Sequence, residues 1–294
     1  MAKFVFSAFA DEAGSTLEEQ ISALKDNGIG YIEPRKIGGK GILELSREEL
    51  LSLKKALDEN GIKVNSLGSP IGKYPINDAF ETHLLDFEKA LTASEVLETE
   101  NIRMFSFFTT PEERKTRREE VLRRLTYMVN LAEKRGIRLC HENESLIYGE
   151  QPEEVRDLLR SIPGLYGIFD PANYRMNNAD VMDGIDATLI NFGYMHIKDA
   201  IFETQTIVPA GEGEGKIGEI IDVINENVDG TVYLTLEPHL HVFDAYKDID
   251  EHELKGKYSF NTGREAFDFA VGALEKLLTD RGYRKDGQNQ WIKQ

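Results

Sequence analysis

Four short polar phrases carry the chemistry that this sequence could do: Cys140-His141-Glu142-Asn143-Glu144, Phe169-Asp170-Pro171-Ala172-Asn173, Met195-His196-Ile197-Lys198-Asp199 and Leu236-Glu237-Pro238-His239. Each follows a short apolar run, so each reads as the end of a strand. Glu142, Asp170, His196 and Glu237 offer three carboxylates and one imidazole, a donor set that suits Mn²⁺, Mg²⁺ or a similar divalent ion. A single strand-end acid ordinarily caps a loop, and a lone His is ordinarily structural. Four such phrases in succession ask for a common explanation. Three carboxylates in one mouth repel one another unless a cation or protons neutralise them.

For these residues to meet, their strands must be neighbours and must end on one face. Apolar, β-prone runs occur at Phe4–Phe9, Ile29–Glu33, Lys63–Leu67, Ile102–Phe108, Ile137–Glu142, Leu165–Asp170, Phe192–Lys198 and Val232–Glu237, with helix-period stretches between them. Ser15 and Ser46 read as N-caps, Ser46 with Glu49 as a capping box. Gly28, Gly61 and Gly136 read as left-handed helix ends. Eight strand–helix units predict a single-domain (β/α)₈ TIM barrel over residues 1–281, with 282–294 a polar, frayed tail. In that fold every strand ends on the same face, and the four residues fall on strands five to eight. Their separations of 28, 26 and 41 residues match about 30 per unit, the longest holding Gly211-Glu212-Gly213-Glu214-Gly215. Carboxylates alternate with glycine there and would repel a phosphate, so the run reads as a flexible loop. A doubly wound open sheet is the alternative fold, but no Gly-rich dinucleotide loop follows the first run. Leu240–Asn261 is a polar excursion before the last helix.

Side chains alternate along a strand. If Glu142 and His196 point inward, so do Cys140, Tyr194 and Lys198. Lys198 either polarises a substrate oxygen or pairs with Asp199 or another carboxylate. His239 shares the parity of Glu237 beyond Pro238. Glu33, ending strand two, either binds a substrate hydroxyl or is a surface acid. Lys73, on the loop after strand three, is a further substrate contact. Cys140 is expected to be buried, not nucleophilic.

Composition narrows the function classes. With 35 basic against 52 acidic residues the net charge is −17, a field that repels phosphate backbones and anionic lipid, so neither nucleic acid nor membrane is an expected partner. Arg114–Arg118 is the basic exception and reads as a solvated helix face, in a stretch where Glu113–Arg117, Glu119–Arg123 and Glu120–Arg124 pair at i,i+4. The hydrophobic fraction of 40% is that of a packed globule. No run approaches the roughly 20 apolar residues of a membrane span, and charge at Asp11 and Glu12 interrupts any signal-peptide core. One cysteine leaves no intrachain disulfide, which suits the cytoplasm. Homo-oligomerisation is left open.

The ordered phrases His-Glu-Asn-Glu, Phe-Asp-Pro-Ala-Asn, His-Ile-Lys-Asp and Leu-Glu-Pro-His, with Gly-Glu-Gly-Glu-Gly before the last, resemble the xylose isomerase-like (sugar phosphate isomerase/epimerase) TIM-barrel family from Phe4 to Leu278. The resemblance implies one divalent ion on Glu142, Asp170, His196 and Glu237, with Mn²⁺ expected ahead of Mg²⁺, Co²⁺ or Zn²⁺. It also implies that Glu142 and Glu237 are the acid and base. Two positions depart from ketose epimerases of this family. Asn173 replaces a His and is taken as a substrate contact, and Asp199–Pro209 lacks an Arg. The implied activity is isomerisation or epimerisation of a small sugar or polyol derivative through a metal-stabilised enediolate. Dehydration of an inosose-type keto-polyol is the alternative on the same scaffold. An endonuclease-IV-like phosphodiesterase would need a His-rich multinuclear site, against six His in all. A non-catalytic sugar-binding barrel would gain nothing from converging carboxylates.

Overall fold

The computed structural model describes residues 1–241 and 258–294. All eight expected strands form: β1 (Ala2–Ala8), β2 (Tyr31–Ile32), β3 (Lys63–Val64), β4 (Asn101–Met104), β5 (Arg138–Glu142), β6 (Leu165–Phe169), β7 (Phe192–Ile197) and β8 (Gly230–Leu236). Parallel ladders join β4 through β8 in sequence order, β8 to β1, and β2 to β3. The bridge between Leu67 and Ile102 joins the third and fourth units. A bond from Glu33 N to Ala8 O (3.0 Å) joins the first and second. The ring is closed, a TIM barrel forming one domain.

Nine helices among the described residues surround it: α1 (Leu17–Asp26), α2 (Arg47–Glu59), α3 (Phe80–Leu97), α4 (Pro111–Glu133), α5 (Pro152–Ser161), α6 (Pro171–Met176), α7 (Val181–Thr188), α8 (Ile217–Asn227) and α9 (Gly263–Asp280). None is long and apolar enough to cross a membrane. Alternation on β1 sends Phe4 and Phe6 outward into the main core with Leu24, Leu274 and Phe267, each such burial worth roughly 1.5–3 kcal/mol. The same alternation sends Ser7 inward, where its hydroxyl donates to Asn65 Oδ1 at 2.5 Å. A smaller inner cluster of Cys140, Ile168 and Tyr194 fills the barrel beneath the mouth.

Local signals explain the helix boundaries, with one correction. The N-cap of α1 is Thr16, not Ser15, because Thr16 stands three residues before Glu19 and forms the reciprocal capping box. Ser46 and Glu49 form theirs as expected. Gly28, Gly61 and Gly136 take φ of 66°, 70° and 71° just past α1, α2 and α4, conformations that cost glycine little.

Three further expectations are overturned. The basic run on α4 is not simply solvated: Arg114 is buried against Glu150, and Arg118 reaches Asp157 on α5. Glu120, not Glu119, holds Arg123, alongside Arg124. The tail is not frayed. Tyr283–Lys285 and Trp291–Lys293 form an antiparallel hairpin whose Trp291 bridges to Phe4 and stacks on Phe6, because burying two aromatic rings outweighs the polar residues around them. The Gly-rich run is not loose either: it wraps the buried Asp199 carboxylate, which accepts N–H groups from Gly211, Gly213 and Gly215 at 2.9, 3.1 and 2.8 Å. Most of the polar excursion at Leu240–Asn261 lies outside the described residues.

Candidate metal centre

Glu142 ends β5, Asp170 follows β6, His196 lies in β7 and Glu237 follows β8. Parallel register carries all four to the same face, where one ligand atom from each lies within 4.8 Å of the others, and all four residues are buried. His196 Nδ1 stands 3.2 Å from Glu142 Oε1 and 3.4 Å from Glu237 Oε2. Asp170 caps α6: its Oδ1 accepts Asn173 N at 2.9 Å, which leaves Oδ2 for the mouth. Asn143 braces this corner, donating to Asp170 O and accepting from Asp170 N, both at 2.9 Å.

Behind the four lies a charged layer. Arg103 Nη1 is 3.3 Å from Glu142 Oε2, and Arg35 Nη1 is 2.9 Å from Glu237 Oε1. Both guanidiniums lie over the Phe9 ring, at 4.5 Å for Arg35 and 4.8 Å for Arg103. Arg35 also grips Asp11 through two bonds of 3.0 and 3.1 Å. Burial pushes the Glu142 carboxyl up, but His196 and Arg103 outweigh it and hold it at about 2. Glu237 is likewise held well below the carboxylate range, where Lys198 and His196 overcome burial. Burial wins at Asp170, pushed up to about 7 against the pull of Lys198. Burial alone would discharge His196; Glu142 reverses that and keeps its proton on.

The donor set fits a divalent ion on a separate ground. Asp170 Oδ2, Glu237 Oε2 and both His196 nitrogens are buried and meet only charged neighbours, with no hydrogen bond of good geometry, an arrangement that ordinarily costs free energy. A proton on His196 supplies positive charge that an ion would replace, so binding should release protons. Glu12, Glu237 and His239 form a second close group. There Arg35 stands 3.5 Å from Glu12 and 2.9 Å from Glu237, so a permanent cation already occupies that corner.

The expected substrate contacts are placed unevenly. Lys198 Nζ lies 2.9 Å from Asp170 Oδ2 and 3.5 Å from Glu237 Oε2; Asp199 is not its partner. Glu33 is no surface acid: it is fully buried, 3.5 Å from His196 Nε2, and receives the Tyr194 hydroxyl at 2.8 Å. Asn173 Nδ2 donates to Glu142 Oε1 at 3.3 Å. His239 Nε2 is 3.4 Å from Glu237 Oε1. Lys73 pairs with Glu144 at 2.9 Å and lies over Phe105, touching none of the four. Cys140 is buried, and burial raises its thiol to about 12, which removes it as a nucleophile. Sequence reasoning missed Arg35, Arg103 and Glu12. The alternation used on β5 and β7 would have found the first two, since Arg35 stands two residues past Glu33 and Arg103 two past Asn101.

Comparison with known proteins agrees with this architecture. No curated protein matches the chain in sequence. Among solved structures, the IOLI protein with a bound zinc atom superposes with a TM-score of 0.73 at 14% identity, covering 95% of this chain and 99% of that one. D-psicose 3-epimerase, in the presence of D-fructose, gives 0.69 at 16% identity over 92% and 97%. The probable 3-DHS dehydratase AsbF of Bacillus anthracis gives 0.68 at 13% over 94% and 99%. At such identities the likeness is one of fold. The profile of one family matches residues 21–255, and with it the closed barrel has its place: the chain belongs to the xylose isomerase-like TIM barrel family.

Proposed function

We propose that the protein is a divalent-metal-dependent isomerase or epimerase of a small sugar or polyol derivative, with Glu142 and Glu237 as its proton-moving pair. The observation that carries this reading is the convergence of four buried ligand atoms within 4.8 Å. Charge balance supports it. Asp11, Glu12, Glu33, Glu142, Asp170 and Glu237 are buried together with three permanent cations, Arg35, Arg103 and Lys198. The proton held on His196 offsets part of the carboxylate excess, and a divalent ion would supply that positive charge in its place. Three oxygens and one nitrogen suit Mn²⁺, our choice, with Mg²⁺, Co²⁺ and Zn²⁺ as alternatives; a similar fold binds zinc.

When bound, such an ion polarises a sugar carbonyl and acidifies the neighbouring C–H. The chain's own groups then move the proton. Glu142 from β5 and Glu237 from β8 both approach His196 Nδ1, each backed by its own arginine. His196 with Arg103 keeps Glu142 ionised and Lys198 with His196 keeps Glu237 ionised, while the two arginines fix the direction of the carboxylates. One, ionised, removes the proton. The other, having first taken a proton from solvent, gives it to the opposite face and inverts the carbon, and the first then releases its own proton to solvent. Return by the first to the adjacent carbon instead interconverts aldose and ketose. Lys198, on Asp170, is placed to hold a substrate oxygen. Asn173 steadies Glu142.

The similarity to a probable dehydratase favours a second reading, in which the same proton abstraction is followed by loss of a hydroxyl. Metal analysis of the purified protein, then incubation with ketoses and keto-polyols in deuterated water, tests both. Substrate deuteration with an epimer or isomer supports the first, and deuteration with an unsaturated product the second. Metal-free protein that exchanges nothing overturns both.

A further inference from the structure

At the opposite end of the barrel the ring is forked. Near its C-terminal end β1 bonds to the second unit through Glu33 N and Ala8 O. Near its N-terminal end the same edge of β1 is taken by Trp291 of the terminal hairpin, opposite Phe4. Between the fork's arms lies a cavity of about 260 Å³, walled by Val5, Tyr31, Lys63, Tyr233, Lys285 and Trp291 among others. Alternation puts Tyr31, Lys63 and Tyr233 on the inward face with Glu33, Asn65 and Thr235. The cavity therefore lies on the barrel floor, below the inner cluster that underlies the metal centre.

Its chemistry is the reverse of the chain's. The protein carries a net charge of −17, yet the lining holds Lys63 and Lys285 and no carboxylate. Lys63 has no ion-pair partner among the described residues, and Lys285 reaches Glu275 only at 3.6 Å. Two tyrosine rings 5.0 Å apart and the Trp291 indole supply flat apolar surface. Trp291 Nε1 and Gln290 Oε1 at the wall are shielded from solvent and unpartnered. Lysines facing a cavity recruit an anion, and aromatic walls favour a ring.

We propose that this floor cavity is a binding site for a small anion carrying a planar or ring-shaped body, its phosphate or carboxylate at Lys63 and Lys285 and its ring against Tyr31, Tyr233 and Trp291. The site is separate from the metal centre and does not depend on the reaction proposed there.

The protein has one tryptophan, so intrinsic fluorescence reads this cavity directly. The full chain is titrated with phenyl phosphate, with inorganic phosphate and phenol as controls. Expected is a saturable change in Trp291 emission for phenyl phosphate, at least 10-fold tighter than for either control. The double variant Lys63→Met/Lys285→Met should weaken it at least 10-fold with an unchanged melting temperature, and His196→Ala should leave it intact. Benzoate in place of phenyl phosphate distinguishes carboxylate from phosphate preference. No saturable change, equal response to phenol, or equal affinity in the double variant would mean that the cavity is a water-filled gap in the fork, and would overturn the proposal. A response lost in His196→Ala would place the anion at the metal centre and overturn it equally.

Discussion

Lys198 Nζ lies 2.9 Å from Asp170 Oδ2, so the one flexible cation of the mouth is bound to a candidate metal ligand. A fixed positive charge there competes with the ion while helping to hold Asp170 ionised. Lys198→Met should therefore leave divalent-ion affinity unchanged or raise it, and lower turnover. His196→Ala removes a ligand and should lower affinity at least 10-fold. Calorimetric titration of the metal-free proteins compares the two. Equal loss of affinity would make Lys198 a support of the site's geometry instead.

The wild-type protein should hold about one divalent ion per chain. Chelation should lower the melting temperature, and Mn²⁺ should restore it with a concentration dependence set by its affinity. Because His196 keeps a proton in the metal-free protein, loading should release acid and weaken as pH falls. A melting curve indifferent to both treatments contradicts the metal assignment.

Glu142→Gln and Glu237→Gln keep volume and an oxygen ligand but remove the proton acceptor. Turnover should fall by roughly 10² or more in each, with metal binding reduced less. The variant that keeps the abstracting carboxylate should still exchange the substrate C–H in deuterated water without inverting it. Two fully active, metal-loaded variants would remove both residues from the mechanism.

The fold was legible because the barrel repeats one short pattern eight times, and each repeat announces itself through alternation, a capping acid or a left-handed glycine. The convergence of Glu142, Asp170, His196 and Glu237 was legible because their motifs stand at strand ends. What stayed hidden was long-range pairing. Nothing near Arg114 in sequence names Glu150, and nothing near Gly213 names Asp199, 14 residues earlier. Trp291 sits among polar residues, and only contact with Phe6 across the whole chain reveals it as core. Arg35 and Arg103 were within reach of the alternation rule, but buried arginines are rare enough that composition argues against them.

The Gly-rich loop gives a stability test. A Cβ at Gly213 would lie 2.2 Å from Asp199 Oδ1 and 2.8 Å from Ala200 N. Gly213→Ala must therefore push the loop off the carboxylate that three of its N–H groups solvate. The expected loss is about 1–3 kcal/mol, read by denaturant unfolding. Gly272, whose Cβ would meet nothing within 4 Å, is the control and should tolerate Ala without loss. Equal effects at the two glycines would show that the loop yields freely.

Acid should weaken the fold through a histidine remote from the mouth. His83 is buried on α3, packed against Tyr74 and Phe107, and its Nε2 accepts Gly72 N at 3.0 Å. Burial, with help from Arg124 and against Asp86, pushes its imidazole down to about 4. An unfolded histidine titrates near 6.5. Between those values the unfolded chain takes up a proton that the folded chain refuses. Stability is therefore full above about 6.5 and drains as pH falls towards about 4, by on the order of 1–3 kcal/mol for this group. Asp170, raised to about 7 by burial despite Lys198, acts with the opposite sign in metal-free protein, since there the fold holds a proton that the unfolded chain has lost. Comparing wild type with His83→Gln cancels that contribution. The variant should melt lower at pH 7, having lost the imidazole's packing, yet its melting temperature should fall less steeply from pH 6.5 to 4.5. Parallel curves would mean that His83 takes up its proton in the folded state as readily as in the unfolded one.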